Sequence, residues 1–98
     1  MIYEERKEIY QEALDKWGAS AQINMAIEEM SELTKELCKR LRGFDNDRAL
    51  AEEMADVMIM MEQMQLLFEN TRDIYFIMDR KCNRLADRLK EAPHREWA

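Results

Sequence analysis

The sequence predicts an all-α fold, four amphipathic helices in an antiparallel bundle completed by homo-oligomerisation, and three observations carry that prediction. The 98 residues include only two Gly and one Pro, and Ala, Leu, Met, Glu, Lys and Arg are abundant, a composition that favours helix over strand. Apolar residues recur at spacings of three and four through most of the chain. Turn-forming and capping residues gather at only four places: Trp17 to Ser20, Gly43 to Asn46, Glu69 to Arg72, and Ala92-Pro93. A chain of this length forms one domain, 1–98, whose core is thin enough for association with a second copy to matter.

The punctuation divides the chain into helices at about 2–16, 20–42, 47–69 and 72–91. The first places Tyr3, Ile9, Tyr10, Ala13, Leu14 and Trp17 on one side. The second carries Ile23, Ala26, Ile27, Met30, Leu33, Thr34, Leu37 and Leu41 as one broad stripe that faces the core, with Ser20 as its cap. In the third, capped by Asp45 or Asn46, Leu50, Met54, Val57, Met60, Met61, Met64, Leu67 and Phe68 cover about half the circumference, so it sits centrally. Asn70 or Thr71 caps the fourth, which aligns Tyr75, Met78, Cys82, Leu85 and Leu89. Residues 93–98, beyond Pro93, read as a frayed tail. The nine methionines fall at helical spacing within apolar stripes, where unbranched thioethers fill gaps between helices.

A net charge of -6 argues against nucleic acid or anionic lipid as a partner, and no apolar run is long enough to span a membrane. Cys38 and Cys82 cannot make a disulfide framework, and the start of the chain lacks the apolar region of a signal peptide. The expectation is a cytoplasmic protein with reduced thiols.

Two acidic segments carry candidate chemistry. Glu28-Glu29-Met30-Ser31-Glu32 lies in the second helix and Glu53-Met54-Ala55-Asp56 in the third. Spacings of three and four stack Glu29 and Glu28 with Glu32, and Glu53 with Asp56, as like-charged pairs one turn apart. Repulsion of that kind costs only a few tenths of a kcal/mol on an open surface. Glu12-Ala13-Leu14-Asp15 repeats the Glu-x-x-Asp spacing opposite the apolar stripe, where a solvated pair belongs. Glu53 instead projects within the apolar arc of its helix, and Asp56 lies at that arc's edge. An ionised carboxylate taken from water is normally neutralised, paired or bound to a cation. If the two helices pack antiparallel after the Gly43 loop, Glu29, Glu32, Glu53 and Asp56 converge. Hard oxygen donors without His or Cys select Mg²⁺, Mn²⁺ or Ca²⁺. The bland alternative is a solvated surface, with Glu32 and Glu36 paired to Lys35, Lys39 or Arg40.

At these residues the sequence resembles the all-α nucleoside triphosphate pyrophosphohydrolase superfamily, specifically its small MazG-like members, phage-type ones included. The family pattern is Glu-Glu-x-x-Glu on one helix and Glu-x-x-Asp on the next. Lys16-Trp17-Gly18-Ala19-Ser20-Ala21-Gln22 is also similar to the Trp-Gly-x-x-x-Gln entry into the motif helix. The resemblance covers about residues 10–90. It implies hydrolysis of a nucleoside triphosphate to monophosphate and pyrophosphate with Mg²⁺, for which Mn²⁺ can substitute. Glu29, Glu32, Glu53 and Asp56 match the metal-ligating positions, and Glu28 is the candidate for activating the attacking water. Lys81 and Arg84, in a row with Arg88, are candidates for contacting triphosphate, and Trp17 and Gln22 for lining a base pocket. A single copy of the unit implies a homodimer or homotetramer. The rival readings are a helical dimer acting as an interaction module and a bundle that only binds divalent cations.

Overall fold

The computed structural model describes residues 1–91, and the tail expected beyond Pro93 lies outside them. The described residues form four helices and no strand: α1 Tyr3–Trp17, α2 Ala19–Leu41, α3 Asp47–Phe68 and α4 Thr71–Glu91. Each end falls within one residue of the expected position. No helix is long and apolar enough to cross a membrane.

Gly18 alone separates α1 from α2. Its backbone stands at φ 87°, ψ 159°, a region that costs a side-chain-bearing residue about 1–3 kcal/mol. Its N–H donates to the Leu14 carbonyl at 2.9 Å, and its own carbonyl accepts from Gln22 N–H at 3.2 Å, so one residue closes the first helix and opens the second. Gly18, not Ser20, therefore holds the cap position of α2. Ser20 falls inside the first turn, because the helix starts a residue earlier than the serine suggested.

The loop into α3 is tied back onto α2. Asn46 occupies the cap position but its side chain does not cap. Its Nδ2 instead donates to the Glu36 carbonyl at 3.0 Å and to Glu36 Oε1 at 3.2 Å. Arg40 donates to Asn46 Oδ1 at 3.2 Å and pairs with Asp47. These contacts set the register of the hairpin. Glu36 meets Asn46, Glu29 lies near Asp56, and Gln22 Oε1 accepts from Gln63 Nε2 further along, so α2 and α3 run antiparallel.

The body is built on α3, which packs against both α2 and α1. Its apolar core is small: Tyr10, Ala26 and Met60 are buried, with Ile23, Leu33, Leu50, Val57, Met64 and Leu67 half-buried around them. Gln22 and Gln63, 6% and 3% exposed, satisfy each other inside the α2–α3 contact, as buried amides must. On α1, Tyr10 donates its hydroxyl to Glu62 Oε1 at 2.7 Å, and Arg6 grips both oxygens of Glu62 at 3.0 and 2.9 Å. The broad stripe of α2 does not all face this core. Ala26, Ile23 and Leu33 turn inward, whereas Ile27, Met30, Thr34, Leu37 and Leu41 are exposed. Two neighbouring helices cover only part of a wide apolar arc. Met54, Met58 and Met61 of α3 are exposed too, and no residue of α4 is buried.

Candidate metal centre

Three carboxylates meet where the middle of α2 crosses the first half of α3. Glu53 and Asp56 stand one turn apart on α3, and Glu29 faces them from α2. One oxygen from each lies within 4.8 Å of the others. Opposed ligands of Mg²⁺ lie about 4.2 Å apart and those of Ca²⁺ about 5 Å, so the triad closes on either ion with little movement.

The electrostatics of the triad are those of acids without a counter-charge. Burial raises the Glu29 carboxyl above the ordinary carboxylate range, helped by the charges of Asp56 and Glu53 and by a hydrogen bond with Asp56. Burial likewise raises Glu53, with Asp56, Glu32 and Glu36 adding to the shift. Oε2 of Glu53 is buried and has no hydrogen-bond partner. The ion pairs among the described residues join Arg6 to Glu62, Lys39 to Glu36, Arg40 to Asp47 and Arg48 to Glu52, and none involves the triad. An unpartnered buried oxygen among like charges fits a bound divalent cation, and the all-oxygen donor set fits Mg²⁺ or Mn²⁺ better than zinc.

The other expected site residues are placed less closely. Glu32 contributes no oxygen to the triad, although its charge raises both Glu29 and Glu53. Glu28 is exposed, on the turn before Glu32. Trp17 is 59% exposed at the end of α1, with the Lys16 ammonium 5.4 Å from its ring centre. Gln22 is engaged by Gln63. Lys81, Arg84 and Arg88 line a recess of about 250 Å³ formed by α4 alone. Glu12 and Asp15 are exposed, as the solvated control pair should be.

Glu36 is the residue the sequence placed on the surface and the structure does not. It is 9% exposed, and hydrogen bonds from Asn46 and Lys39 hold its carboxyl below the ordinary range. The signal was its spacing: Glu36 lies two turns beyond Glu29 and so returns to the same side of α2. No family model matches the chain, and neither a curated protein nor a solved structure matches it.

Proposed function

We propose that the protein is a Mg²⁺-dependent nucleoside triphosphate pyrophosphohydrolase working in the cytoplasm as a homodimer or homotetramer. The observation that supports this reading is the meeting of Glu29, Glu53 and Asp56 around a buried Glu53 oxygen that no described residue satisfies. Those three side chains would hold the cation, with Glu32 as a fourth carboxylate brought in from the next turn. When bound, the cation would supply charge neutralisation at the phosphate oxygens and make water beside it more acidic. Glu28 orients that water or takes its proton, which its exposure allows. Water attacks one phosphorus of the α–β anhydride, that phosphorus's bond to the bridging oxygen breaks, and monophosphate and pyrophosphate leave. Lys81 and Arg84 contact the triphosphate oxygens, and Trp17 stacks on the base. Gln22 joins the base pocket only by exchanging its bond to Gln63.

The second reading is an interaction module, favoured by the extent of exposed apolar surface on α2, α3 and α4. One experiment separates the readings: pyrophosphate release from a panel of nucleoside triphosphates, with Mg²⁺ or chelator, by wild type and Glu53→Gln. Mg²⁺-dependent release that disappears in the variant is the expected result. A folded protein that binds Mg²⁺ and releases no pyrophosphate from any nucleotide would be a cation-binding module, and one that does neither would be an adaptor.

A further inference from the structure

Three polar contacts along the α2–α3 seam fall seven residues apart on α2. Gln22 meets Gln63, Glu29 meets Glu53 and Asp56, and Glu36 meets Asn46. Seven residues are two helical turns, so Gln22, Glu29 and Glu36 follow one line along α2, about 10 Å from one to the next. Asp56 and Gln63 repeat that spacing on α3, and Asn46 stands just ahead of the helix. The two outer contacts are answered within the chain. Gln63 Nε2 donates to Gln22 Oε1, and both residues are buried. Asn46 Nδ2 donates to the main-chain carbonyl and the carboxylate of the buried Glu36, Lys39 pairs with the same carboxylate, and Arg40 donates to Asn46 Oδ1. The middle contact brings together acids, and none of the ion pairs among the described residues reaches them.

That middle contact resists its own packing. One oxygen from each of the three carboxylates lies within 4.8 Å of the others, and their repulsion acts to part the helices at that level. The buried apolar neighbours Ala26 and Met60 oppose a slide or rotation only weakly, because apolar burial has no direction. Hydrogen bonds do have one, and they weaken steeply with angle and distance. A slide of one residue moves a side chain about 1.5 Å along the helix axis and turns the facing side by about 100°, enough to take Glu29 away from Glu53 and Asp56. Asn46 occupies the cap position of α3 without capping it. Its amide is committed to α2 instead, so the stabilisation of a cap is given up for a contact between helices.

We propose that Asn46 and Gln63 are positioning residues of the metal centre. Each grips α2 two turns from Glu29, one on either side, and between them they hold Glu29, Glu53 and Asp56 close enough to share one divalent cation, against the repulsion of the three acids. Neither residue touches the cation. The inference rests on the metal half of the proposed function and adds which residues outside the triad set its affinity. Mg²⁺ demands near-octahedral placement of its oxygens, so a loosened seam has to be re-formed at the expense of binding. Partners standing behind metal ligands are commonly worth about tenfold to a hundredfold in affinity.

The test is binding of Mg²⁺ alone to the full chain by isothermal titration calorimetry, for wild type, Asn46→Ala, Gln63→Met and Tyr10→Phe. The last loses a hydrogen bond between α1 and α3, away from the seam, and controls for loss of stability as such. Asn46→Ala and Gln63→Met should each bind Mg²⁺ at least about tenfold more weakly than wild type, while Tyr10→Phe binds as wild type does. A second measurement needs no metal. Asn46 and Glu53 lie about 10 Å apart along the chain's helical rise, so two merely structural substitutions there would add in their effects on melting in chelator. If Asn46 holds the acids together, the gain in melting temperature from Glu53→Gln should shrink in the Asn46→Ala background, where the seam has already yielded. Wild type that takes up Mg²⁺ no more tightly than either seam variant, or additive effects in chelator, would overturn the inference and leave the metal centre standing. Wild type that takes up no Mg²⁺ would remove both. If a variant loses its helical circular dichroism signal, a shorter polar side chain takes its place with the same expected outcomes: Asn46→Ser, which can cap α3 but not reach Glu36, or Gln63→Asn.

Discussion

Glu53 and Glu62 lie on the same helix, are both partly buried, and titrate in opposite directions. Hydrogen bonds from Arg6 hold the Glu62 carboxyl below the ordinary range, with Tyr10 adding to the effect, whereas burial and neighbouring acids raise Glu53. What differs is the company each keeps. Helix α1 crosses the end of α3 and delivers a guanidinium and a phenol to Glu62. Near the beginning of α3, the described side chain that faces Glu53 and Asp56 is Glu29, from the equally acidic face of α2. A carboxylate that the fold intends only as structure comes with donors supplied by the chain. One left without them, its oxygen buried, is where a cation from outside would relieve the most unfavourable charge.

The sharpest way to break this contrast is to neutralise each acid in turn. Glu53→Gln should lower Mg²⁺-dependent pyrophosphate release at least about a hundredfold, the usual scale for losing one electrostatic contact to the reacting phosphates. The same variant should melt higher than wild type in chelator, because a charge without a partner has been removed, and should lose the upward shift in melting temperature that Mg²⁺ gives wild type. Equal Mg²⁺ stabilisation of both proteins would sink the metal reading. At the other end of α3 the sign reverses. Tyr10→Phe should destabilise the fold by about 1–2 kcal/mol in urea, since the hydroxyl donates to a charged acceptor in a buried place, and Mg²⁺ should respond as in wild type.

The pH dependence sharpens the comparison further. Glu29 and Glu53 have folded-state pKa values raised above the unfolded ones, so their contribution favours the fold at low pH and is lost as pH rises through the raised values. Glu62 and Glu36 are depressed, so their contribution is present above the ordinary carboxylate pKa and is lost as pH falls through the lowered values. Denaturation midpoints in chelator between about pH 4 and 7 should therefore fall with rising pH less steeply in Glu53→Gln than in wild type. A variant curve parallel to wild type would mean that the Glu53 carboxyl is not raised. Tyr10, pushed up to about 12 by burial and by Glu62, adds a loss of stability as pH rises from its ordinary value of 10.0 toward that number. The smallest effect belongs to the control pair. Replacing Glu12 with Gln and Asp15 with Asn should change stability by less than about 0.5 kcal/mol and leave the Mg²⁺ response intact.

Much of the fold was legible because helices are local. Composition, apolar spacing and the breaks at glycine and capping residues located all four, and the same spacing put Glu53 on an apolar arc where a charge has no ordinary reason to be. What spacing cannot show is which part of a wide stripe another helix covers. Ile27, Met30 and Leu37 share their stripe with Ala26, yet only Ala26 is buried, because α3 approaches from one edge. The polar contacts were equally out of reach. Gln22 with Gln63, and Glu62 with Arg6 and Tyr10, join residues more than 40 positions apart. Asn46 could be placed at a helix start but not turned back toward Glu36.

By itself, then, the sequence determined the four helices, their order, and the one-turn pairing of acids on α2 and α3, since each depends on interactions within a few residues. The tertiary structure decided which acids meet and which are answered. The hairpin register, fixed by the loop contacts of Asn46 and Arg40, brings Glu29 to Glu53 and Asp56, and the path of α1 brings the Arg6 guanidinium to Glu62. Burial and partnership are properties of the space between helices, and a periodic pattern along one helix carries no record of what stands opposite it.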